Sequence, residues 1–250
     1  MTMLQVQDLS KNFGGLKVLT DVSFTMEAGE KLALIGPNGA GKTTLINVIG
    51  GQLAASSGSI VLDGRQITRV SAEKRLHLGL GRSFQVNNLF FELSILDNVL
   101  LALYGAEKSH VHTFRLLEKR RDLLGEAEKL LETVGLWEQR REPLHTLSYG
   151  DQRLVELLFA FTSRPKMVLL DEPSAGLPTA EAIAFGGTIR RLAGDTSVLF
   201  CAHDMDLVFS LADRIMVLYF GEIIASGLPQ EISADPRIQE IYLGTEDDRC

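Results

Sequence analysis

The sequence predicts an α/β fold in which a helical lobe interrupts a core of parallel strands and helices. Three observations lead to this prediction. Residues 1 to about 64 contain runs of alternating apolar and polar side chains, typical of antiparallel strands. Residues 89–161 carry leucines at helical spacing among charged residues, and from residue 167 short apolar strands alternate with helical segments. We expect a single domain, with residues 1–88 and 162–250 forming the core and its antiparallel β subdomain, and residues 89–161 the lobe.

The elements of the core follow from the periodicity of apolar residues along the chain. Before the lobe, strands are expected over residues 4–9, 18–26, 31–35 and 58–64, and a helix over residues 43–49. After the lobe, strands are expected over residues 167–170, 196–201 and 214–219, with helices near 180–193 and 204–211. This alternation is typical of a nucleotide-binding α/β core.

The composition indicates a protein of moderate size without broad affinity for nucleic acids. The chain has 250 residues, of which 45% are hydrophobic, and a net charge of −7. No apolar run approaches the length of a membrane span, and residues 1–5 lack the basic and apolar character of a signal peptide. The two cysteines, Cys201 and Cys250, show no spacing typical of a metal site. We therefore expect a reducing, cytoplasmic environment.

A glycine-rich loop follows the predicted strand at residues 31–35. Residues 36–43 read Gly-Pro-Asn-Gly-Ala-Gly-Lys-Thr, the phosphate-binding loop of P-loop NTPases, in the required position between a strand and a helix. Its glycines let backbone N–H groups face a phosphate, Lys42 supplies positive charge for the β- and γ-phosphates, and the Thr43 hydroxyl can bind Mg²⁺. The alternative is a glycine-rich turn before an ordinary helix, but every required position is filled.

The loop therefore predicts that the chain binds a nucleoside triphosphate. The residues expected to contact ATP are Gly36, Pro37, Asn38, Gly39, Ala40, Gly41, Lys42, Thr43 and Thr44.

Two carboxylates follow the apolar strand at residues 167–170. Asp171 lies at the carboxyl end of that strand, where it can hold Mg²⁺ beside Thr43. Glu172 projects one position further and can act as the general base for a water in line with the γ-phosphate. An Asp-Glu-Pro sequence could also simply end a strand. The complete P-loop upstream favours the catalytic interpretation.

His203 and Gln85 are further candidates for roles in hydrolysis. His203 follows the predicted strand at 196–201, where its ring could hydrogen-bond the γ-phosphate or the attacking water; the alternative is a core or capping histidine. Gln85 follows a short strand just before the lobe. Its neutral amide could contact Mg²⁺ or water and couple that contact to the position of the segment that follows. Spacing alone gives little support for this role.

With these candidates in place, residues 147–152, Leu-Ser-Tyr-Gly-Asp-Gln, resemble the signature sequence of ABC-transporter ATPase subunits. The P-loop, the glutamine, the carboxylate pair and the histidine occur in the order found in that family, and the resemblance covers nearly the whole chain. It implies a RecA-like core and a head-to-tail dimer with a second ATPase subunit. In such a dimer, Ser148 and the backbone N–H of Gly150 would contact the γ-phosphate of ATP held by the opposite P-loop.

Phe13 occupies the position of the aromatic residue that stacks on adenine in this family. Such stacking would contribute about 1–3 kcal/mol, by analogy with bases stacked on aromatic side chains. The alternative is that Phe13 is a residue of the hydrophobic core.

Several stretches look like the branched-chain (hydrophobic) amino-acid uptake group, namely residues 13–16, 81–85, 89–90, 147–150 and 241–244. This resemblance implies an importer with integral membrane permease subunits, a second ATPase subunit that is a different chain, and a periplasmic or extracellular binding protein as an indirect partner. The chain would lie peripherally at the cytoplasmic face of the inner membrane. Urea or amide uptake, an exporter, and an ABC ATPase outside transport are the alternatives.

Three residues depart from the family pattern. Asp151 stands where glutamine is usual in the signature, and Phe159 stands where the signature helix commonly has arginine. Residues 174–177 look like the start of the family's D-loop, and Pro178 stands where that loop usually has Asp or Asn. Asp151 and Pro178 would face the opposite subunit, so we expect this chain to pair with a complementary ATPase rather than with itself. Residues 86–91 are expected to line the groove for a permease helix, unless Phe90 and Phe91 belong to the lobe core.

Overall fold

The computed structural model of the chain describes residues 1–83, 89–107 and 120–243. In these residues two β-sheets and nine α-helices are present. The strands are β1 Thr2–Phe13, β2 Leu16–Glu27, β3 Lys31–Ile35, β4 Ser57–Leu62, β5 Arg65–Gln66, β6 Leu80–Arg82, β7 Met167–Asp171, β8 Ser197–Cys201, β9 Arg214–Tyr219 and β10 Glu222–Gly227. The helices are α1 Lys42–Gly50, α2 Ala72–His77, α3 Ile95–Ala106, α4 Arg121–Thr133, α5 Tyr149–Phe161, α6 Thr179–Ala193, α7 Met205–Leu211, α8 Pro229–Ala234 and α9 Pro236–Leu243.

The first sheet is antiparallel and has the strand order β2-β1-β4-β5. Strands β1 and β2 form a long hairpin, and Leu4 and Val6 on β1 point into the core, as the alternation in the sequence predicts. Leu9 is also buried, because the register of the hairpin shifts between Val6 and Leu9. The hairpin ends at Gly14 and Gly15, next to Phe13.

The second sheet has the order β10-β9-β3-β8-β7-β6, and all of its strand pairs are parallel except that of β10 with β9. Every residue of β3, β7 and β8 is buried, which explains their continuous apolar sequences. The carboxyl ends of these three neighbouring strands meet at one edge of the sheet, so the residues that follow them lie close together.

The helix behind the P-loop is fixed from its far end by a buried arginine. The Arg75 guanidinium donates hydrogen bonds to the carbonyl oxygens of Val48 and Ile49 at the end of α1, and to those of Thr68 and Val70. Burial lowers the pKa of Arg75 from its usual value. Because the last carbonyls of a helix have no partner within it, Arg75 satisfies groups that burial would otherwise leave unpaired.

The helices between β6 and β7 pack around a hydrophobic cluster of their own. Apolar residues at helical spacing on α3, α4 and α5 form its centre: Ile95, Val99, Leu103, Leu123, Ala127, Leu131, Val155 and Leu158. In the described part of the chain, no helix combines the length and apolar character that crossing a bilayer requires.

The structure confirms the predicted α/β class and each predicted core element to within a few residues. It adds β5, β10, α2, α8 and α9, which the sequence analysis did not identify. These are mostly short elements; β10 lies at the sheet edge with half-exposed alternate residues, and the other additions span two to eight residues. Their stability depends on packing against the core rather than on a long periodic pattern.

Candidate active site

The glycine-rich loop connects the carboxyl end of β3 to the first turn of α1. A Cβ atom on Gly36 would lie 2.1 Å from the carbonyl oxygen of Leu218, so only glycine fits where the loop passes β9. Gly41 is the N-cap residue of α1 with a φ of 105°, and its position provides no side-chain cap. Within the described ranges, therefore, no side chain competes with a ligand for the N–H groups of the first turn.

The loop lines an open cleft of about 290 Å³. It is lined by Val18, Asn38, Gly39, Ala40, Gly41, Lys42, Thr43, Thr44, Glu172 and His203. The structure therefore brings the P-loop together with two of the predicted catalytic side chains, which are about 130 and 160 residues away in sequence.

Lys42 extends along the inside of the loop. It is 6% exposed, and its Nζ donates hydrogen bonds to the carbonyl oxygens of Gly36, at 2.7 Å, and Pro37, at 3.0 Å. Burial lowers the pKa of Lys42, while the neighbouring Glu172 and Asp171 carboxylates oppose the shift. The ammonium group is thus held at the phosphate-binding loop by the backbone of that loop.

Asp171 and Thr43 place two oxygen donors side by side, with Thr43 in the lining of the cleft. The Thr43 hydroxyl donates to Oδ1 of Asp171 at 3.3 Å, and the Cys201 thiol donates to the same oxygen at 3.3 Å. Burial raises the pKa of Asp171, while the Cys201 hydrogen bond and the Arg82 charge oppose the shift. A hydroxyl and a carboxylate are the hard oxygen donors that Mg²⁺ prefers, so these residues fit a magnesium ion.

The sequence analysis did not recognise that Cys201 belongs to this site. Cys201 pairs with Asp171 in the parallel register of β7 and β8, and burial raises its pKa well above the usual value, which keeps it a protonated thiol. The sequence shows that each residue ends an apolar strand, but the adjacency of the two strands is visible only in the structure.

Glu172 and His203 both line the cleft and are in direct contact. His203 Nε2 lies 2.7 Å from Oε1 of Glu172, and both side chains are partly exposed. Glu172 adopts a φ of +50°, which is unusual for a residue with a side chain and is often found at functional sites. Its N–H donates to the carbonyl oxygen of Cys201 at 3.0 Å, and its own carbonyl oxygen accepts from Nη2 of Arg153 at 3.2 Å.

The signature segment lies elsewhere, at the N-terminus of α5. Ser148 is the N-cap residue: its Oγ accepts from the N–H of Asp151 at 3.1 Å and donates to Oδ2 of Asp151 at 2.8 Å. Ser148, Gly150 and Asp151 line a second cleft of about 260 Å³ together with Glu181. The Oε2 of Glu181 lies 3.0 Å from the position that a Cβ on Gly150 would take. The sequence analysis missed Glu181, which no motif marks.

One other predicted residue, Phe13, lies apart from the phosphate cleft. Phe13 is at the tip of the first hairpin, with 46% of its surface exposed and Lys11 Nζ 4.8 Å from its ring centre, so the alternative of a core phenylalanine is wrong. It is not among the residues that line the cleft. Gln85 lies outside the described residues, as do Phe84 and residues 86–88.

The remaining departures from the family pattern fit their surroundings. Pro178 is the N-cap residue of α6 and accepts a hydrogen bond from Ala182 through its carbonyl oxygen, so its missing N–H leaves the helix intact. Phe159 packs against the lobe cluster and lines a groove between lobe and core.

A phosphate-binding loop faces a carboxylate pair and a histidine, and an inserted lobe carries a signature-type helix. These features define a cassette-type P-loop ATPase. The ABC transporter family model matches residues 19–175, and a model described as branched-chain amino acid ATP-binding cassette transporter matches residues 222–248. The chain belongs to the ABC transporter family as an ATP-binding, ATP-hydrolysing subunit.

Individual relatives extend this likeness over nearly the whole chain. The high-affinity branched-chain amino acid transport ATP-binding protein LivG of Salmonella typhimurium is 34% identical over 249 residues, covering 97% of this chain and 98% of its own. BraF of Pseudomonas aeruginosa, which has the same functional description, is 35% identical over 255 residues with the same coverage.

Solved structures agree with the fold. A crystal structure of an ABC-transporter ATP-binding cassette in its ADP conformation has a TM-score of 0.88 and 31% identity, covering 98% of this chain and 99% of its own. A nucleotide-free ABC-transporter cassette has a TM-score of 0.86, also with 31% identity. Membership of this family implies association with membrane permease subunits and with another ATPase subunit.

Proposed function

We propose that this chain hydrolyses Mg-ATP to power the uptake of branched-chain or other hydrophobic amino acids. The observation that carries this proposal is the likeness to branched-chain amino acid transport ATPases over 97% of the chain. In such a machine the chain acts at the cytoplasmic face of the membrane, and an extracellular or periplasmic binding protein delivers the substrate to the permease.

The nucleotide is held on the P-loop side of the cleft. The first-turn N–H groups of α1 and the Lys42 ammonium bind the phosphates, and Phe13 is the proposed stacking partner of the adenine. Thr43 and Asp171 hold Mg²⁺, with Gln85 as a further proposed ligand. When bound, Mg²⁺ neutralises negative charge on the phosphate oxygens.

Glu172 is the proposed general base. Its carboxylate lies at the mouth of the phosphate cleft, and His203 at 2.7 Å can orient it and hydrogen-bond the γ-phosphate or the attacking water. A proton passes from water to the Glu172 carboxylate as the water oxygen bonds to the γ-phosphorus, and the bond between that phosphorus and the β,γ-bridging oxygen breaks to release ADP. Ser148 and the N–H of Gly150 serve the site of the opposite subunit.

The groove between lobe and core is the proposed docking site for a cytoplasmic permease helix. It has a volume of about 370 Å³, and its walls are mainly apolar, with Leu76, Phe90, Leu101, Ala102 and Phe159 among the lining residues. An amphipathic helix can place its apolar face in such a groove. Arg82 also lines the groove and donates a hydrogen bond to Oδ1 of Asn47 on α1, so one side chain links the groove to the helix that follows the P-loop.

Two neighbouring phenylalanines provide a matched test of the groove. Phe90 is 57% exposed and lines it, whereas Phe91 is partly buried against the lobe cluster. Phe90→Glu should uncouple ATP hydrolysis from transport with unchanged nucleotide affinity. Phe91→Glu should instead lower the melting temperature of the isolated chain, because it places a charge against the hydrophobic cluster. Equal loss of thermal stability in both variants would contradict the docking assignment.

Reconstitution tests the proposed substrate. The chain should be purified with the permease subunits and the second ATPase encoded beside it, placed in proteoliposomes, and supplied with the cognate binding protein. We expect uptake of leucine, isoleucine or valine that requires ATP on the side of the ATPases. Uptake of urea or of an amide alone, or ATP-dependent movement in the opposite direction, would overturn the amino-acid importer assignment.

A further inference from the structure

Two side chains of α5 hold the backbone that follows the proposed general base. The Tyr149 hydroxyl donates a hydrogen bond to the carbonyl oxygen of Ala175 at 3.0 Å, and Arg153 Nη2 donates to the carbonyl oxygen of Glu172 at 3.2 Å. Tyr149 and Arg153 are four residues apart, so they lie on one face of the helix. We call these two residues the α5 clamp.

The segment held by the clamp has a backbone that needs support. Glu172 and Gly176 both have positive φ values, of 50° and 83°. A Cβ on Gly176 would lie 3.0 Å from the Tyr149 hydroxyl oxygen, so helix and segment are in close contact there. Glycine adopts such a φ readily, whereas the positive φ of Glu172 persists only where surrounding groups hold it.

Arg153 is itself held in position. It forms a 2.6 Å ion pair with Glu156 one turn further along α5, and its guanidinium carbon lies 6.0 Å from the centre of the Tyr149 ring. Its guanidinium also lines a cavity with Asp171 and Glu172. A side chain already fixed by its neighbours loses little freedom when it binds a backbone carbonyl, so it can set the position of that carbonyl.

We propose that the α5 clamp positions the Glu172 carboxylate from the signature helix. Ser148, the residue proposed to meet the ATP of the opposite subunit, is the N-cap residue of α5, and the first two turns of α5 carry both clamp residues. Engagement of the signature loop in one composite site is therefore transmitted to the general base in the other through two hydrogen bonds within this chain. Tyr149 and Arg153 are positioning residues, and this inference rests on the proposed function of Glu172.

The test uses the transporter complex with its permeases and second ATPase. Tyr149→Phe removes the hydroxyl and keeps the ring, Arg153→Met removes the guanidinium, and Arg153→Lys restores one donor. Arg164→Met is the matched control, because Arg164 also links lobe and core, through Glu126 on α4, but has no described hydrogen bond to the 172–176 segment. Each variant is measured for kcat, KM for ATP, affinity for a fluorescent ATP analogue and melting temperature.

We expect kcat to fall about fivefold in each single variant and more in the pair, with KM and analogue affinity within about twofold of the unmodified complex. Arg153→Lys should recover part of the loss, and Arg164→Met should leave kcat unchanged. In a Glu172→Gln background, the clamp variants should cause no further loss, because they act through the carboxylate that has been removed.

The outcomes separate the clamp from the base. If Glu172→Gln loses hydrolysis but the clamp variants turn over normally, only the clamp is overturned. It is also overturned if the clamp variants raise KM, lower kcat only in proportion to a loss of melting temperature, or lower residual turnover further in the Glu172→Gln background. If Glu172→Gln itself turns over normally, the proposed role of Glu172 fails and the clamp proposal fails with it.

Discussion

Two helix N-termini in this molecule are proposed to bind the same triphosphate chemistry, but their surroundings are opposite. The N-terminus of α1 is capped by a glycine, has no acidic residue in its first turn and carries Lys42 there. The N-terminus of α5 is capped by the Ser148 side chain and has Asp151 in its first turn, with Glu181 beside it. Both have the partial positive charge of a helix end. In α5 the Ser148 cap and the nearby carboxylates offset part of that charge, whereas in α1 nothing comparable among the described residues does.

The difference indicates that this chain would contribute unequal halves to two composite sites, a P-loop half to one and a signature half to the other. The half that binds its own nucleotide places Lys42 and uncapped backbone donors in the cleft. The half presented to the opposite subunit has its serine proton directed at a carboxylate. A partner with a compensating positive charge would match that half better than a second copy of this chain does. The proposed pairing with a different ATPase subunit follows from this asymmetry.

The largest expected effect concerns the half of the site that this chain supplies to its own ATP. Glu172→Gln should lower hydrolysis by roughly two orders of magnitude or more, because the amide cannot accept a proton from water. ATP binding should be retained, since the P-loop and Asp171 are untouched. The measurement is turnover of the purified complex beside nucleotide affinity, and near-normal turnover would remove Glu172 from its role.

Lys42→Ala should weaken nucleotide binding itself, by about tenfold or more, because it removes the only cation that lines the described phosphate cleft. Equilibrium binding of a fluorescent ATP analogue to the isolated chain measures the effect. Lys129→Ala is a suitable control, since Lys129 is an exposed residue of α4 and does not line the cleft. If both variants bind alike, the phosphate contact of Lys42 is contradicted.

The two halves of the site also differ in how far the sequence predicts them. The P-loop lies in one contiguous segment, and Asp171, Glu172 and His203 each follow an apolar strand whose end defines their place, so local pattern was sufficient. The contacts of Cys201 and Glu181 depend on which strands and helices become neighbours. Such long-range proximity has no local signature in a single sequence.

Two adjacent phenylalanines show the same limit of prediction from a single sequence. Phe90 and Phe91 are chemically identical, and the sequence analysis left both between groove and core. The structure exposes Phe90 and packs Phe91 against the lobe cluster. The direction of each side chain is set by the turn before α3, where the Asn98 side chain accepts from the N–H of Phe90 and donates to its carbonyl oxygen. Periodicity could not supply that information.

Asp151→Gln tests the other half directly and should increase ATP-dependent dimerisation of the isolated chain about fivefold. The substitution removes a negative charge and frees the Ser148 hydroxyl from its present acceptor. The unmodified chain should be mainly monomeric with ATP and hydrolyse it slowly. Light scattering at micromolar protein in a Glu172→Gln background, which preserves the nucleotide, provides the measurement.

A companion variant separates charge from hydrogen bonding at this helix. Glu181→Gln removes a nearby charge without altering the Ser148–Asp151 pair, so a gain in dimerisation there too would identify charge as the cause. A tight ATP-dependent homodimer of the unmodified chain would contradict the proposed asymmetry.

The smallest expected effect lies on the P-loop side and concerns the Cys201 hydrogen bond to Asp171. This hydrogen bond favours the charged carboxylate and opposes the rise in the Asp171 pKa that burial causes. Cys201→Val removes the donor, so the pKa of Asp171 should rise further and the carboxylate should protonate at a higher pH. Because activity needs the charged form, ATP hydrolysis at the acidic end of the pH profile should fall about twofold to threefold relative to its plateau.

Cys201→Ser keeps a donor in the same place and should leave the acid limb of the profile where it is in the unmodified chain. The measurement is ATP hydrolysis against pH at saturating ATP and constant free Mg²⁺. Since Cys201 is buried in the core, valine and serine both alter packing, and a change of packing alone would scale the whole profile without moving its acid limb. An acid limb that moves equally in both variants, or in neither, would show that the thiol does not tune Asp171.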